Sequence, residues 1–129
     1  MKAFTLLFML TVSASAMNRL DALWMIETGG NDRMVGNAGE ISRYQVRQNV
    51  WHSVTKSSQY SSPETARLVA AKVMAQRVRD FDATFGRAPT DFEFYALWNA
   101  PTQVMLGRIR PTVAERCRRF ANLCASPSR

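Results

Sequence analysis

A glutamate on the apolar side of a helix is the first chemical feature of this chain. Leu20, Leu23, Trp24 and Glu27 recur at i, i+3, i+4 and i+7, so they share one stripe of any helix running through them. Gly29-Gly30 ends that helix, which puts Glu27 in its last turn, where the helix dipole disfavours negative charge. Apolar surroundings and the dipole both raise a carboxyl pKa, so the acid stays protonated toward neutrality. A protonated carboxyl in an apolar pocket can hand a proton to a leaving oxygen, the step that glycoside cleavage requires. The plainer alternative is a glutamate at the stripe's edge, reaching solvent or pairing with an arginine.

The elements that must position this acid are legible in outline. The first helix is expected from about Asn18 to Thr28, followed by a Gly- and Asn-rich loop from Gly29 to Gly39. Ile41 to Val46 alternates weakly and reads as extended or turn-like, and a short segment follows around Asn49 to Val54. Ser62-Pro63-Glu64 supplies an N-cap, a proline at N1 and an acid in the first turn. It starts the longest helix, which is expected to bury Leu68, Ala71, Ala75, Val78 and Phe85 and to stop at Gly86. Thr90-Asp91-Phe92-Glu93 has capping-box spacing and begins a helix through Trp98. Thr112-Val113-Ala114-Glu115 repeats the pattern, with Val113, Cys117 and Phe120 facing inward. Four substantial helices and one candidate strand pair predict a mainly helical α+β domain.

The first sixteen residues read as a secretory signal peptide. Lys2 precedes the apolar run Ala3 to Val12, and Ala14-Ser15-Ala16 offers a small-x-small cleavage site. The run falls short of the roughly 20 apolar residues a membrane span needs. Cleavage leaves residues 17–129 as one exported domain, periplasmic or secreted, expected to be a soluble monomer without stable membrane insertion. Of the 17 bases and 10 acids, loss of Lys2 leaves a net charge of +6. Arg108, Arg110, Arg116, Arg118 and Arg119 form the densest cluster, which is either a surface for polyanions (nucleic acid, anionic lipid or the acidic polymers of a bacterial envelope) or a solvated face with no partner. Export argues against nucleic acid as the partner, and so does the scatter of the arginines over several segments. Cys117 and Cys124 admit a disulfide, provided that the last helix ends near Asn122. One histidine, His52, and those two cysteines make a poor metal set, so no metal or other cofactor is expected.

Taken together, Ala22-Leu23-Trp24-Met25-Ile26-Glu27-Thr28-Gly29-Gly30-Asn31 resembles the catalytic-glutamate motif of soluble lytic transglycosylases, an apolar helix ending in Glu-Ser-Gly-x-Asn. Gly39-Glu40-Ile41-Ser42-Arg43-Tyr44-Gln45-Val46 is similar to that family's second motif, which ends in Gly-Leu-Met-Gln-Ile. Leu97-Trp98-Asn99-Ala100-Pro101 is similar to the third, Ala-Tyr-Asn-Ala-Gly, and all three stand in the family's order. The resemblance covers about Leu20 to Pro101. It implies a lysozyme-like fold with a substrate cleft, peptidoglycan glycan strands as partner, and Glu27 as the acid that cuts between N-acetylmuramic acid and N-acetylglucosamine. It also implies that the same residue then acts as base, closing a 1,6-anhydro ring on the muramyl sugar. By the same resemblance Gln45 and Asn99 line the cleft, with Ser42 beside them and Tyr44 and Trp98 offering faces to sugar rings or serving as core aromatics.

The departures are specific. Ser42 stands where the family carries glycine, Trp98 replaces a tyrosine, and Pro101 replaces a glycine. The family's later tyrosine has no counterpart between Val113 and Leu123, where Phe120 is the nearest aromatic. Glu40 lies five residues before Gln45, the offset at which animal-type lysozymes of the same fold carry a second catalytic acid. Glu40 is therefore either a second carboxylate supporting hydrolysis or a surface glutamate balancing Arg43 or Arg47. A non-catalytic wall-binding protein of the same fold is the remaining alternative, against which the presence of Glu27 argues.

Overall fold

The structure, a computed structural model, describes residues 17–126; the expected signal peptide lies outside them. Six helices follow one another: α1 (Arg19–Thr28), α2 (Gln48–Val54), α3 (Pro63–Phe85), α4 (Asp91–Asn99), α5 (Pro101–Met105) and α6 (Pro111–Ala125). The domain is mainly helical, and among the described residues it has no strand. The expected strand pair is reduced to a single antiparallel bridge in which Ile41 and Val46 exchange two 2.8 Å hydrogen bonds around a tight turn. The mainly helical part of the expectation therefore holds, and its β part amounts to this one bridge among the described residues.

Local chemistry explains most helix ends. Asn18 caps α1 by accepting from the Leu20 N–H, and Gly29 ends it at φ 64°, a left-handed conformation that glycine adopts without a Cβ clash. Ser62 caps α3, and Thr90 and Glu93 complete a reciprocal capping box at α4. Pro101, in place of a glycine in the resembled motif, occupies the first turn of α5, where its missing N–H costs nothing. The last helix differs from expectation. Pro111, not Thr112, opens α6, and Arg110 precedes it with no side-chain cap.

Helix α4 lies at the centre. Phe94 to Trp98 are all buried, so the helix is enclosed on every side along that run. Phe94 stacks on Phe120 of α6 at 5.8 Å, and Tyr95 packs against the same ring at 5.5 Å. The buried face of α3 is Ala66, Val69, Ala70, Val73, Met74 and Phe81. The expected face was a neighbouring one: Leu68 and Phe85 are exposed, as are Ala71 and Ala75, and only Val78 is partly buried. Both stripes are apolar in sequence and both carry two alanines, and α3 turns inward the one that also holds Val69, Val73, Met74 and Phe81.

Helix α6 runs through both cysteines to Ala125, which corrects the disulfide expectation. On a continuous helix, seven residues separate two Cα atoms by about 10 Å, beyond what a disulfide spans. Cys117 and Cys124 are free, buried thiols.

Candidate active site

Glu27 sits where the stripe places it. Its neighbour Leu23 is fully buried, Leu20 and Trp24 pack against the core, and the Glu27 side chain is only 8% exposed. The end of α1 is pinned by Thr28, whose hydroxyl donates to the Arg43 carbonyl at 2.8 Å and accepts from the Gly30 N–H at 3.2 Å. Gly30, at φ 94°, brings its backbone against the Trp24 ring so closely that a Cβ would be crowded there. The glycine pair thus closes the helix immediately behind the acid.

Three groups act on the Glu27 carboxyl. The Tyr95 hydroxyl donates to Oε1 at 2.7 Å, and an Arg116 Nη2 donates to Oε2 at a looser 3.4 Å. Burial raises the Glu27 pKa, the Tyr95 hydrogen bond and Arg116 pull it back, and the Glu40 charge raises it further. Burial prevails, and the net direction is upward from the ordinary value. The carboxyl is therefore held protonated at a pH where a solvated glutamate would have ionised. Tyr95 is held neutral in turn, its pKa pushed up by burial and by the neighbouring Glu27.

Glu27 lines a cavity of about 820 Å³ together with Glu40, Gln45, Trp98 and Asn99. Five of the seven residues singled out in the sequence therefore share one concave surface. Gln45 is fixed by donating to the Met34 and Ser42 carbonyls at 3.1 and 3.0 Å, which occupies its amide donors and leaves Oε1 as acceptor. The Glu40 carboxylate accepts from the Ala38 N–H at 3.0 Å and pairs with neither Arg43 nor Arg47. Arg43 instead forks onto Asp32 and covers the Trp24 ring. Asn99, the last residue of α4, is exposed at the cavity wall.

Ser42 and Tyr44 lie elsewhere. Both are 1% exposed and neither lines the cavity. Ser42 accepts from the Tyr44 N–H, and Tyr44 meets Trp98 edge to face at 6.5 Å. Their place is in the support beneath the cavity. Ser42 has φ 68°, the left-handed region that favours glycine, which accounts for the glycine of the resembled motif at this position. Trp98 is itself 9% exposed, so it presents little of its ring.

No family model, curated protein or solved structure matches this chain. Sequence reasoning missed four of them: Tyr95 and Arg116 at the acid, Gly36 in the loop, and Arg77 of α3 on the cavity wall. A signal for Tyr95 was present, since it precedes Trp98 and Asn99 by three and four residues and shares their helix face. A Cβ on Gly36 would overlap the Glu40 carboxylate and the Gln45 amide oxygen, so both side-chain ends keep their present places only beside a glycine. No sequence pattern announced that.

Proposed function

We propose that this chain cleaves the β-1,4 bond between N-acetylmuramic acid and N-acetylglucosamine in peptidoglycan, as a lytic transglycosylase of lysozyme-like fold, with the cavity as its substrate cleft. The observation that carries the reading is the Glu27 carboxyl: 8% exposed, raised in pKa, and on the wall of an 820 Å³ cavity. It gives its proton to the glycosidic oxygen as the bond from the muramyl C1 breaks. The carboxylate so formed takes the proton from the muramyl 6-hydroxyl while that oxygen closes on C1. One buried group serves both steps, and water is not consumed. Tyr95 and Arg116 stabilise the transient carboxylate by hydrogen bonds that strengthen when it is charged. The hydroxyl at Glu27 comes from Tyr95 of α4. Gln45 and Asn99 are the polar groups assigned to the sugar hydroxyls and acetamides. The reading carries with it export to the cell envelope and action as a monomer.

Hydrolysis is the second reading, favoured by one observation: Glu40 lines the same cavity, and its charge acts on Glu27. Mass spectrometry of muropeptides released from purified sacculi separates the two. Anhydromuramyl ends without a rise in reducing sugar support the transglycosylase, and free reducing ends support the hydrolase. Glu27→Gln keeps the size of the side chain and removes the transferable proton, so release of either product should fall at least about a hundredfold with the fold intact. Unchanged release by that variant overturns the assignment.

A further inference from the structure

Arg19, Arg43, Arg67, Arg87 and Arg116 each meet a carboxylate. Arg47 and Arg77 do not, among the described residues, and both line the cavity that holds Glu27. Arg77 is half-buried and immobilised, because one guanidinium nitrogen, Nη1, donates at 2.9 Å to the carbonyls of both Leu97 and Trp98. Those carbonyls belong to the last turn of α4, where a cation is favoured. The other two nitrogens, Nε and Nη2, have no hydrogen-bond partner among the described residues. No buried side-chain nitrogen or oxygen there is left without a partner, so these donors are open to solvent. Burial and the like charge of Arg47 both weaken Arg77's hold on its proton. A half-buried, immobilised guanidinium with open fork donors and a second cation beside it has the geometry and charge to take a carboxylate.

We propose that Arg77 and Arg47 form a carboxylate-binding subsite of the cavity, which takes an acidic group borne by the glycan strand. The inference rests on the function proposed above and deepens it. A peptidoglycan strand offers such a group in two forms: the lactyl carboxylate of a muramic acid stripped of peptide, or a carboxylate of the stem peptide joined to it. An oligomer of N-acetylglucosamine offers neither. The subsite therefore distinguishes wall glycan from neutral amino-sugar polymers, a discrimination that Glu27, Gln45 and Asn99 do not supply.

The test uses the full chain carrying Glu27→Gln, so that ligands are bound and not consumed. Calorimetric titration compares N-acetylglucosamine hexamers, peptide-free glycan strands of similar length and strands bearing stem peptides. Charged strands are expected to bind about ten- to a hundredfold more tightly than the hexamer, with the advantage shrinking as salt is added. Preference shared by both strand types assigns the lactyl group, and preference for stemmed strands alone assigns the peptide. Adding Arg47→Gln, at an exposed position whose backbone caps α2 but whose side chain has no hydrogen-bond or ion-pair partner among the described residues, should erase most of the preference and leave hexamer affinity unchanged. Arg77→Lys, which keeps the charge but loses the fork, should erase part of it. Equal binding of charged and neutral glycans by the parent, or an undiminished preference in folded Arg47→Gln protein, overturns the subsite while leaving the function standing. Failure of every glycan to bind, with sacculi left intact by the unmutated enzyme, removes the function and the subsite together.

Discussion

Replacing Tyr95 by phenylalanine separates the titration of the acid from its placement. The ring of Tyr95 is fully buried and packs on Phe120, and phenylalanine fills the same volume. What is lost is one O–H, donated at 2.7 Å to Glu27 Oε1. A hydrogen bond to an ionised group contributes about 1.5–3 kcal/mol, against roughly 0.5–1.5 kcal/mol for a neutral pair. The carboxylate therefore loses about 1 kcal/mol or more beyond what the carboxylic acid loses, and Arg116, at 3.4 Å and 40% exposed, does not make up the difference. The Glu27 pKa, already raised by burial, rises further in the variant. In the proposed reaction the acid form starts the cleavage, so the alkaline limb of the pH profile of kcat/KM should move to higher pH. Stability follows the same sign. A carboxyl whose pKa is raised by folding destabilises the fold as pH climbs from its unfolded value through its folded one, and in Tyr95→Phe that fall continues to higher pH. Muropeptide release measured across pH, with urea unfolding on either side of the limb, tests both. An alkaline limb that stays in place or moves to lower pH refutes the reasoning, because the hydroxyl would then not be acting on Glu27.

Two further substitutions probe the rest of the cavity. Glu40→Ala should shift the alkaline limb to lower pH, since the Glu40 charge raises the Glu27 pKa, with little loss of rate; a loss of roughly two orders of magnitude together with reducing ends establishes the hydrolase instead. Gly36→Ala drives a methyl toward the ends of the flexible Glu40 and Gln45 side chains, which can swing aside, so thermal unfolding should change by less than about 1 kcal/mol while kcat/KM falls; a wild-type kcat/KM would show that the placement of those two groups does not matter.

What the sequence announced and what it hid differ by range. Asn18, the Gly29-Gly30 pair, Ser62-Pro63 and the Thr90–Glu93 box act within one helical turn, and each marks a helix end that the structure contains. The stripe carrying Glu27 is also local, and it told which way the acid faces. The partners of that acid are not local: Tyr95 lies 68 residues away and Arg116 lies 89 away. Periodicity within one helix holds no record of which other helix will meet it. For the same reason α3, apolar on two adjacent stripes, gave no sign of which one the packing would choose. At α6 the capping-box spacing of Thr112 and Glu115 competed with Pro111, whose fixed φ suits the first helical position, and the proline prevailed. Ser42 and Tyr44 fell next to Gln45 in sequence but beneath it in space, because the turn closed by Ile41 and Val46 points successive side chains in different directions.

The two unbridged thiols carry a consequence for where and how the chain matures. Cys117 is fully enclosed and Cys124 is 4% exposed, and burial pushes both thiols up to about 11, so the reactive thiolate is scarce. With no disulfide between Cys117 and Cys124 and no accessible thiol to oxidise, the fold needs neither a thiol oxidase nor a disulfide isomerase to reach completion. Reductant does not loosen it, and mild oxidant does not lock it. The fold is thus indifferent to thiol–disulfide conditions, since packing, caps and hydrogen bonds hold it without a covalent link.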